Sequence, residues 1–315
     1  MILYQPKVDL RNGHIVGAEA LLRWRLPGHG DIPPTQFIPL AEETNLILEI
    51  GEWVLNRVCA DYQHWQARVT DPGRVAMNLS LKQLRQASFI TRFRSIFTKH
   101  GVSPTFFELE ITETTLMADA KRTVKLLDEL YAMGLHLSID DFGTGYSSLS
   151  ALQQFPISTL KIDQSFVRDA ATDADQATIV RTIIDMGRSL GMEVVAEGVE
   201  SEEQLALLRS RDCHFAQGRL FGDAVSAEEF LALLVAQQRR QQQHREAIRL
   251  VGFRRVSRSP MLNFQNLQLR RGTRVLLENA TFTVFRGEKV GIIGANGSGK
   301  SSLRAGARRV ARRIR

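Results

Sequence analysis

Oxygen-bearing side chains recur at the ends of this chain's apolar runs. Glu19 lies in "HIVGAEALLRW", Asn78 ends "RVAMNLS", and Glu110 and Glu113 close "FFELEIT" and its continuation. Asp140 and Asp141 close "LHLSIDDF", and Lys161 and Asp163 sit in "TLKID". Glu197 and Glu200 close "MEVVAEGVE", and Gln217 lies in "HFAQGRLF". One acidic residue at a strand end commonly caps the next helix. That accounts for Glu113 or Glu200 singly, but not for a carboxylate or amide at nearly every strand end. Carboxylates converging on one mouth repel one another, and an uncompensated one takes up a proton. Lys161 is one cation, too few for the set, and a divalent metal is the natural remedy. All the donors are oxygens, and none of the seven histidines (14, 29, 64, 100, 136, 214, 244) forms an HExxH or paired spacing. Hard-ligand chemistry therefore favours Mg²⁺ or Mn²⁺ over Zn²⁺.

The stretch "SIDDFGTGYSSL", Ser138 to Leu149, poses a geometric problem. Side chains of a regular strand alternate faces, so Asp140 and Asp141 cannot point the same way unless the strand breaks its regularity. Asp140 is expected to turn inward to a metal, while a kink after it lets Asp141 reach a second metal or the attacking water. The glycine-rich loop supplies the bend and a flap over the site.

These residues need a frame that brings strand ends together. "ILYQPKVDL" and "HIVGAEALLRW" flank "RNG", where Asn12-Gly13 is a strong hairpin signal. Six further β-rich runs follow, from "RVAMNLS" to "HFAQGRLF", with helical patterns such as "ADAKRTVKLLDELYAMG" between them. Eight strands in about 235 residues, mostly in β-α repeats, predict a (β/α)8 TIM-like barrel with an antiparallel first strand. A doubly wound open sheet is the alternative. Barrel enzymes build their sites at the C-terminal strand ends, which is where the polar residues fall.

Composition sets the outer bounds. The 315 residues are 43% apolar and 24% charged, the range of a soluble globular protein. No apolar run reaches the roughly 18 residues of a membrane span, and no signal-peptide pattern opens the chain. Cys59 and Cys213 make no disulfide framework and fit buried thiols in a reducing cytoplasm. The net charge of +7 is unevenly spread: residues 239–315 hold 19 of 41 Lys+Arg but 3 of 34 Asp+Glu, a net +16 that leaves −9 elsewhere. An acidic body carries a basic tail.

The motifs resemble those of the EAL-domain phosphodiesterases, which hydrolyse cyclic di-GMP. "YQP" (Tyr4–Pro6), "EAL" (Glu19–Leu21), "FIPLAEET", "MNLS", "ELEITE", "IDDFGTGYSSL", "LKIDQSFV", "VVAEGVE" and "QG" (Gln217-Gly218) stand in the family's order across residues 1 to about 235. The resemblance implies a barrel with an antiparallel first strand and a metal-dependent opening of one phosphodiester, giving linear pGpG. It implies Glu19, Asn78, Glu110 and Asp140 as metal ligands, with Asp141 serving a second Mg²⁺ or Mn²⁺. It implies Lys161 as the residue that holds the attacking water, Glu197 beside it, and Glu113 as the anchor of the flap. Arg23 resembles a phosphate contact, and Gln217, Asp163 and Glu200 complete the substrate surroundings. A homodimer through the barrel is the family habit. A catalytically silent cyclic di-GMP receptor is the second reading, since some relatives lose metal ligands and survive as binders. The family pattern is broken in four places. The chain opens at "MILYQP" without the helix that usually precedes the first strand, which is expected to reduce barrel stability. Asn45 replaces a glycine, Arg219 an aromatic, and Ala224 a proline.

The organisation expected is a barrel domain over 1–236, a Gln/Arg-rich linker over 237–260 and a separate segment over 261–315. In the last, "GANGSGKS" fits the P-loop pattern G-x-x-x-x-G-K-[ST], with Gly294, Gly299, Lys300 and Ser301 in its key positions after the apolar "KVGIIG". The segment resembles the start of an ABC-F-type ATPase domain. It stops before any Walker B acid, so ATP hydrolysis is not expected from it, and a fragment of this size buries too little apolar surface to fold well alone. The arginines of "RAGARRVARRIR" lack interleaved aromatics, so no nucleic-acid role is expected.

Overall fold

Asn12-Gly13 turns the chain between two antiparallel strands, β1 (Ile2–Asp9) and β2 (Ile15–Leu22), and Gly13 adopts the positive φ of 72° that the turn needs. The computed structural model describes residues 1–117, 120–143, 152–253, 260–271 and 274–285. It divides into two compact units, Met1–Gln242 and Gln243–Arg315. In the first, strands β1, β2, β5 (Arg74–Asn78), β6 (Phe107–Thr112), β7 (His136–Phe142), β8 (Thr159–Ile162), β9 (Glu193–Ala196) and β10 (Phe215–Gln217) close a barrel in the order β1-β10-β9-β8-β7-β6-β5-β2. Strand β1 is antiparallel to both its neighbours and all other pairs are parallel. A further short hairpin, β3 (Trp24–Leu26) with β4 (Gly30–Ile32), branches off after β2.

The two-residue period of the strands separates two environments. Leu109 and Ile111 of β6, Leu137 and Ile139 of β7, and Leu160 and Ile162 of β8 are buried in the apolar core. Burial of each such side chain contributes about 1.5–3 kcal/mol. The alternate residues Glu108, Glu110, Ser138, Asp140, Thr159 and Lys161 are also buried, yet polar. Near the N-terminal strand ends, Lys7 contacts Glu108 at 3.3 Å, and Arg74 reaches Glu193 at 2.9 Å. A second, larger charged layer lies at the opposite ends and forms the site described below.

Helix Ala227–Phe253 runs through the stretch whose composition reads as a linker. Its glutamines hold the barrel. Gln237 Oε1 accepts from Ile15 N at 2.7 Å, and Gln237 Nε2 donates to Ile15 O at 2.9 Å. Gln238 Oε1 accepts from Thr70 N. Among the described residues no helix is long and apolar enough to cross a membrane. The second unit contains an antiparallel pair, β11 (Pro260–Arg271) with β12 (Arg274–Phe285). The P-loop residues Gly294, Gly299, Lys300 and Ser301 lie outside the described residues.

Candidate active site

The carboxylates meet because the barrel register aligns them. Asn78 of β5 pairs with Glu110 of β6, Thr112 of β6 with Asp140 of β7, and Gln5 of β1 with Glu19 of β2. At their centre is Lys161, whose side chain is 1% exposed. Its Nζ lies 2.6 Å from Glu197, 2.8 Å from Glu110, 3.0 Å from Asp140 and 3.6 Å from Glu19. Asn78 Nδ2 donates to Glu19 Oε1 at 2.9 Å, and Gln217 Nε2 donates to Glu19 Oε2 at 2.7 Å and to Gln5 Oε1 at 3.0 Å.

Asp141 joins the group through a break in β7. The β7–β8 register shifts between Ile139 and Phe142, and Asp141 takes a left-handed φ of 53°. Such a conformation costs a non-glycine residue about 1 kcal/mol or more and persists where the surroundings enforce it. The bulge overrides alternation, and single carboxylate oxygens of Asp140, Asp141 and Glu197 come within 4.8 Å of one another. These three could hold a metal ion.

Other residues singled out from sequence occupy distinct places. Glu113 opens a short helix after β6, and its Oε2 accepts from Gly143 N at 3.2 Å, tying down the start of the "GTGYSS" loop. Residues 144–151 of that loop lie outside the described residues. Asp163 follows β8 and caps helix Gln164–Asp169 by accepting from Ser165 N at 2.9 Å, while its charge still acts on Asp141. Glu200 stands at the rim in an ion pair with Arg219. Arg23 donates to its own neighbour Leu22 O and borders a separate cavity of about 600 Å³ that also reaches Asn78. The carboxylate mouth itself encloses about 290 Å³ and includes Glu19, Asp140, Lys161, Glu197 and Gln217. Gln5, Gln164 and Arg219 also line it, three residues that the sequence reading left without a role. For Gln5 the signal was present: it alternates with the inward Lys7 on β1 and belongs to "YQP".

The electrostatics are those of an acid-rich pit around one base. Burial would lower the Lys161 ammonium, but Glu110, Glu19, Glu197 and Asp140 together hold it far above the ordinary lysine value. Burial and then the charge of Glu19 push Glu110 well above the carboxylate range. Burial also opposes ionisation of Glu19, yet Lys161 and the hydrogen bonds from Gln217 and Asn78 leave it below its usual value. Burial carries Glu197 up to about 8 despite Lys161, and burial with the charges of Asp140 and Asp163 carries Asp141 up to about 6. Glu110 Oε1 and Gln217 Oε1 are buried acceptors without a hydrogen-bond partner among the described residues. An oxygen-only donor set with excess negative charge and unsatisfied acceptors fits a hard divalent cation.

That fit has a pH signature. Asp141 and Glu197 have raised folded-state values, so the stability from their protonated forms is present in acid and lost as pH rises through about 6 and about 8. Metal-free protein is therefore expected to melt at progressively lower temperature from pH 5 to 8.5. Saturating Mg²⁺ or Mn²⁺ should restore about 5 °C or more at pH 8.5, and less at pH 5.5. Differential scanning fluorimetry checks this, and a Tm indifferent to either ion at pH 8.5 would contradict the fit.

Comparison with known proteins agrees with this architecture. The EAL domain family matches residues 1–224, and the chain belongs to that family. It is 46% identical over 229 residues to the bifunctional diguanylate cyclase/cyclic di-GMP phosphodiesterase MucR of Pseudomonas aeruginosa, covering 73% of this chain and 33% of that protein. It is 41% identical over 231 residues to the cyclic di-GMP phosphodiesterase NbdA of the same organism, covering 72% of this chain and 30% of that one. The chain thus spans about a third of the length of these curated relatives. Among solved structures, the PaMucR phosphodiesterase in complex with c-di-GMP superposes with a TM-score of 0.70 at 46% identity, covering 73% of this chain and 93% of that one. The ABC transporter family matches residues 277–306.

Proposed function

We propose that this chain hydrolyses cyclic di-GMP to linear pGpG in a metal-dependent reaction. The observation that carries the reading is the bulge at Asp141, which gathers three carboxylates beside a buried lysine at the C-terminal rim of the barrel. Two ions, Mg²⁺ or Mn²⁺, would be held by Glu19, Asn78, Glu110, Asp140 and Asp141. When bound they would supply Lewis-acid stabilisation of the phosphodiester's developing charge and acidify the attacking water. Lys161 and Glu197 would orient that water; its oxygen forms the new bond to phosphorus, the bond from phosphorus to a ribose oxygen breaks, and a proton from the water ends on the leaving ribose oxygen as its hydroxyl. Glu113 holds Gly143, just past β7, by accepting from its backbone N–H. Gln217 lines the mouth and Glu200 acts there through its ion pair, Asp163 bears on Asp141 through its charge, and Arg23, at the neighbouring cavity that reaches Asn78, would contact a substrate phosphate.

The same reading takes 1–236 as the catalytic barrel, working as a cytoplasmic homodimer, 237–260, whose first residues Gln237 and Gln238 still bond to the barrel, as a linker, and 261–315 as the start of an ABC-F-like ATPase domain. The test is incubation of the purified chain with cyclic di-GMP and either ion, with products separated by chromatography. Linear dinucleotide is the expected product. Cyclic di-GMP that binds and stays intact would instead mark a receptor.

A further inference from the structure

Carboxylates outnumber cations at the mouth that receives the substrate. Its lining includes Glu19, Asp140, Glu197 and Glu200, while a cyclic dinucleotide carries two phosphodiester anions. Two cations line it, Lys161 and Arg219. Lys161 is 1% exposed, ringed by four carboxylates and committed to the attacking water at the phosphodiester that is cut, so it does not serve a second phosphate. Arg219 differs on every count. Its side chain is 75% exposed at the rim, and its contact is Glu200, 3.3 Å away and itself 53% exposed.

The backbone beneath Arg219 is fixed. A Cβ on Gly218 would lie 2.2 Å from Val199 O and 2.3 Å from Val199 N, so only glycine permits the turn to sit this close. Leu220 N donates to Val199 O at 3.1 Å and Phe221 N to Gly218 O at 3.0 Å. A fixed turn thus presents a long, exposed guanidinium at the mouth. An exposed ion pair of the Arg219–Glu200 kind is worth about 0–1 kcal/mol, so exchanging Glu200 for a phosphate costs little. The guanidinium fork matches phosphate oxygens in bidentate geometry.

We propose that Arg219 binds the second phosphodiester of the substrate, the one that is not cut, and so selects ligands with two phosphates. This rests on the cyclic di-GMP reading above. The test compares wild type with Arg219→Gln and Arg219→Lys. Equilibrium binding of cyclic di-GMP is measured in EDTA, where the metal-dependent reaction is silent, and KM and kcat are measured with Mg²⁺. Arg219→Gln is expected to raise both Kd and KM by about tenfold and to leave kcat within about twofold, with Arg219→Lys recovering part of the loss. Wild-type turnover judges the hydrolytic reading, whereas the Kd comparison judges Arg219 whether or not product forms. An unchanged Kd in Arg219→Gln, a loss confined to kcat, or no binding by wild type would overturn the assignment.

Discussion

Turnover of cyclic di-GMP by an Asp140→Asn variant is expected to fall by about 10³-fold or more, while the metal-free protein keeps its Tm or gains a little. Asp140 Oδ1 sits 3.0 Å from Lys161 and accepts from Asp141 N, contacts that the amide oxygen of asparagine can retain. What is lost is one negative charge from an overcrowded set, which relieves Glu110 and Glu197. Stability therefore has no reason to drop. Catalysis does, because Lewis-acid stabilisation is worth several kcal/mol and each loss of about 1.36 kcal/mol is a factor of ten in rate. A purely structural Asp140 would move Tm and leave the residual rate high. Turnover within tenfold of wild type would remove Asp140 from the ligand set, and Glu19→Ala should follow the same direction.

Lys161→Met is expected to be the costliest change for the fold. Methionine fills the space, but four carboxylates then face one another without their common cation. Removing one partner of a buried ion pair costs about 3–5 kcal/mol. In a barrel of this size that lowers Tm by about 10 °C or more at pH 8. The deficit should shrink on acidification, because protonation neutralises the carboxylates that lost their partner, and divalent ions should narrow it for the same reason. Thermal melts at pH 5.5 and 8, with and without Mn²⁺, check this. A loss equal at both pH values and blind to metal would mean that Lys161 contributes packing alone.

The barrel was legible because its signals are local. Asn12-Gly13 announces the hairpin, and two-residue and helical periods mark out the strands and helices around it. The polar residues at strand ends were legible as a set, since no capping role explains so many. Gln237 and Gln238 have a role that composition does not announce. Their composition signals a linker, yet an amide side chain offers both a donor and an acceptor, and here they complete backbone hydrogen bonds of Ile15 and Thr70. The compact unit accordingly reaches Gln242. Asp141 was half legible: two adjacent aspartates required a kink, but the left-handed φ and the register shift are set by the β7–β8 pairing, which is non-local. Asn45, standing where a glycine is usual, likewise adopts a φ of 62° that asparagine tolerates, and its Oδ1 accepts from Lys82. Gln5 and Arg219 enter the site through strand closure between the two ends of the barrel, β1 and β10, a contact no window of sequence contains.

The most direct measurement is a Mn²⁺ titration of metal-stripped protein holding cyclic di-GMP, with the linear dinucleotide quantified at each step. No product is expected in EDTA, and product should rise with Mn²⁺ to saturation. Equal product in EDTA, or a saturated complex that never yields any, would contradict this expectation.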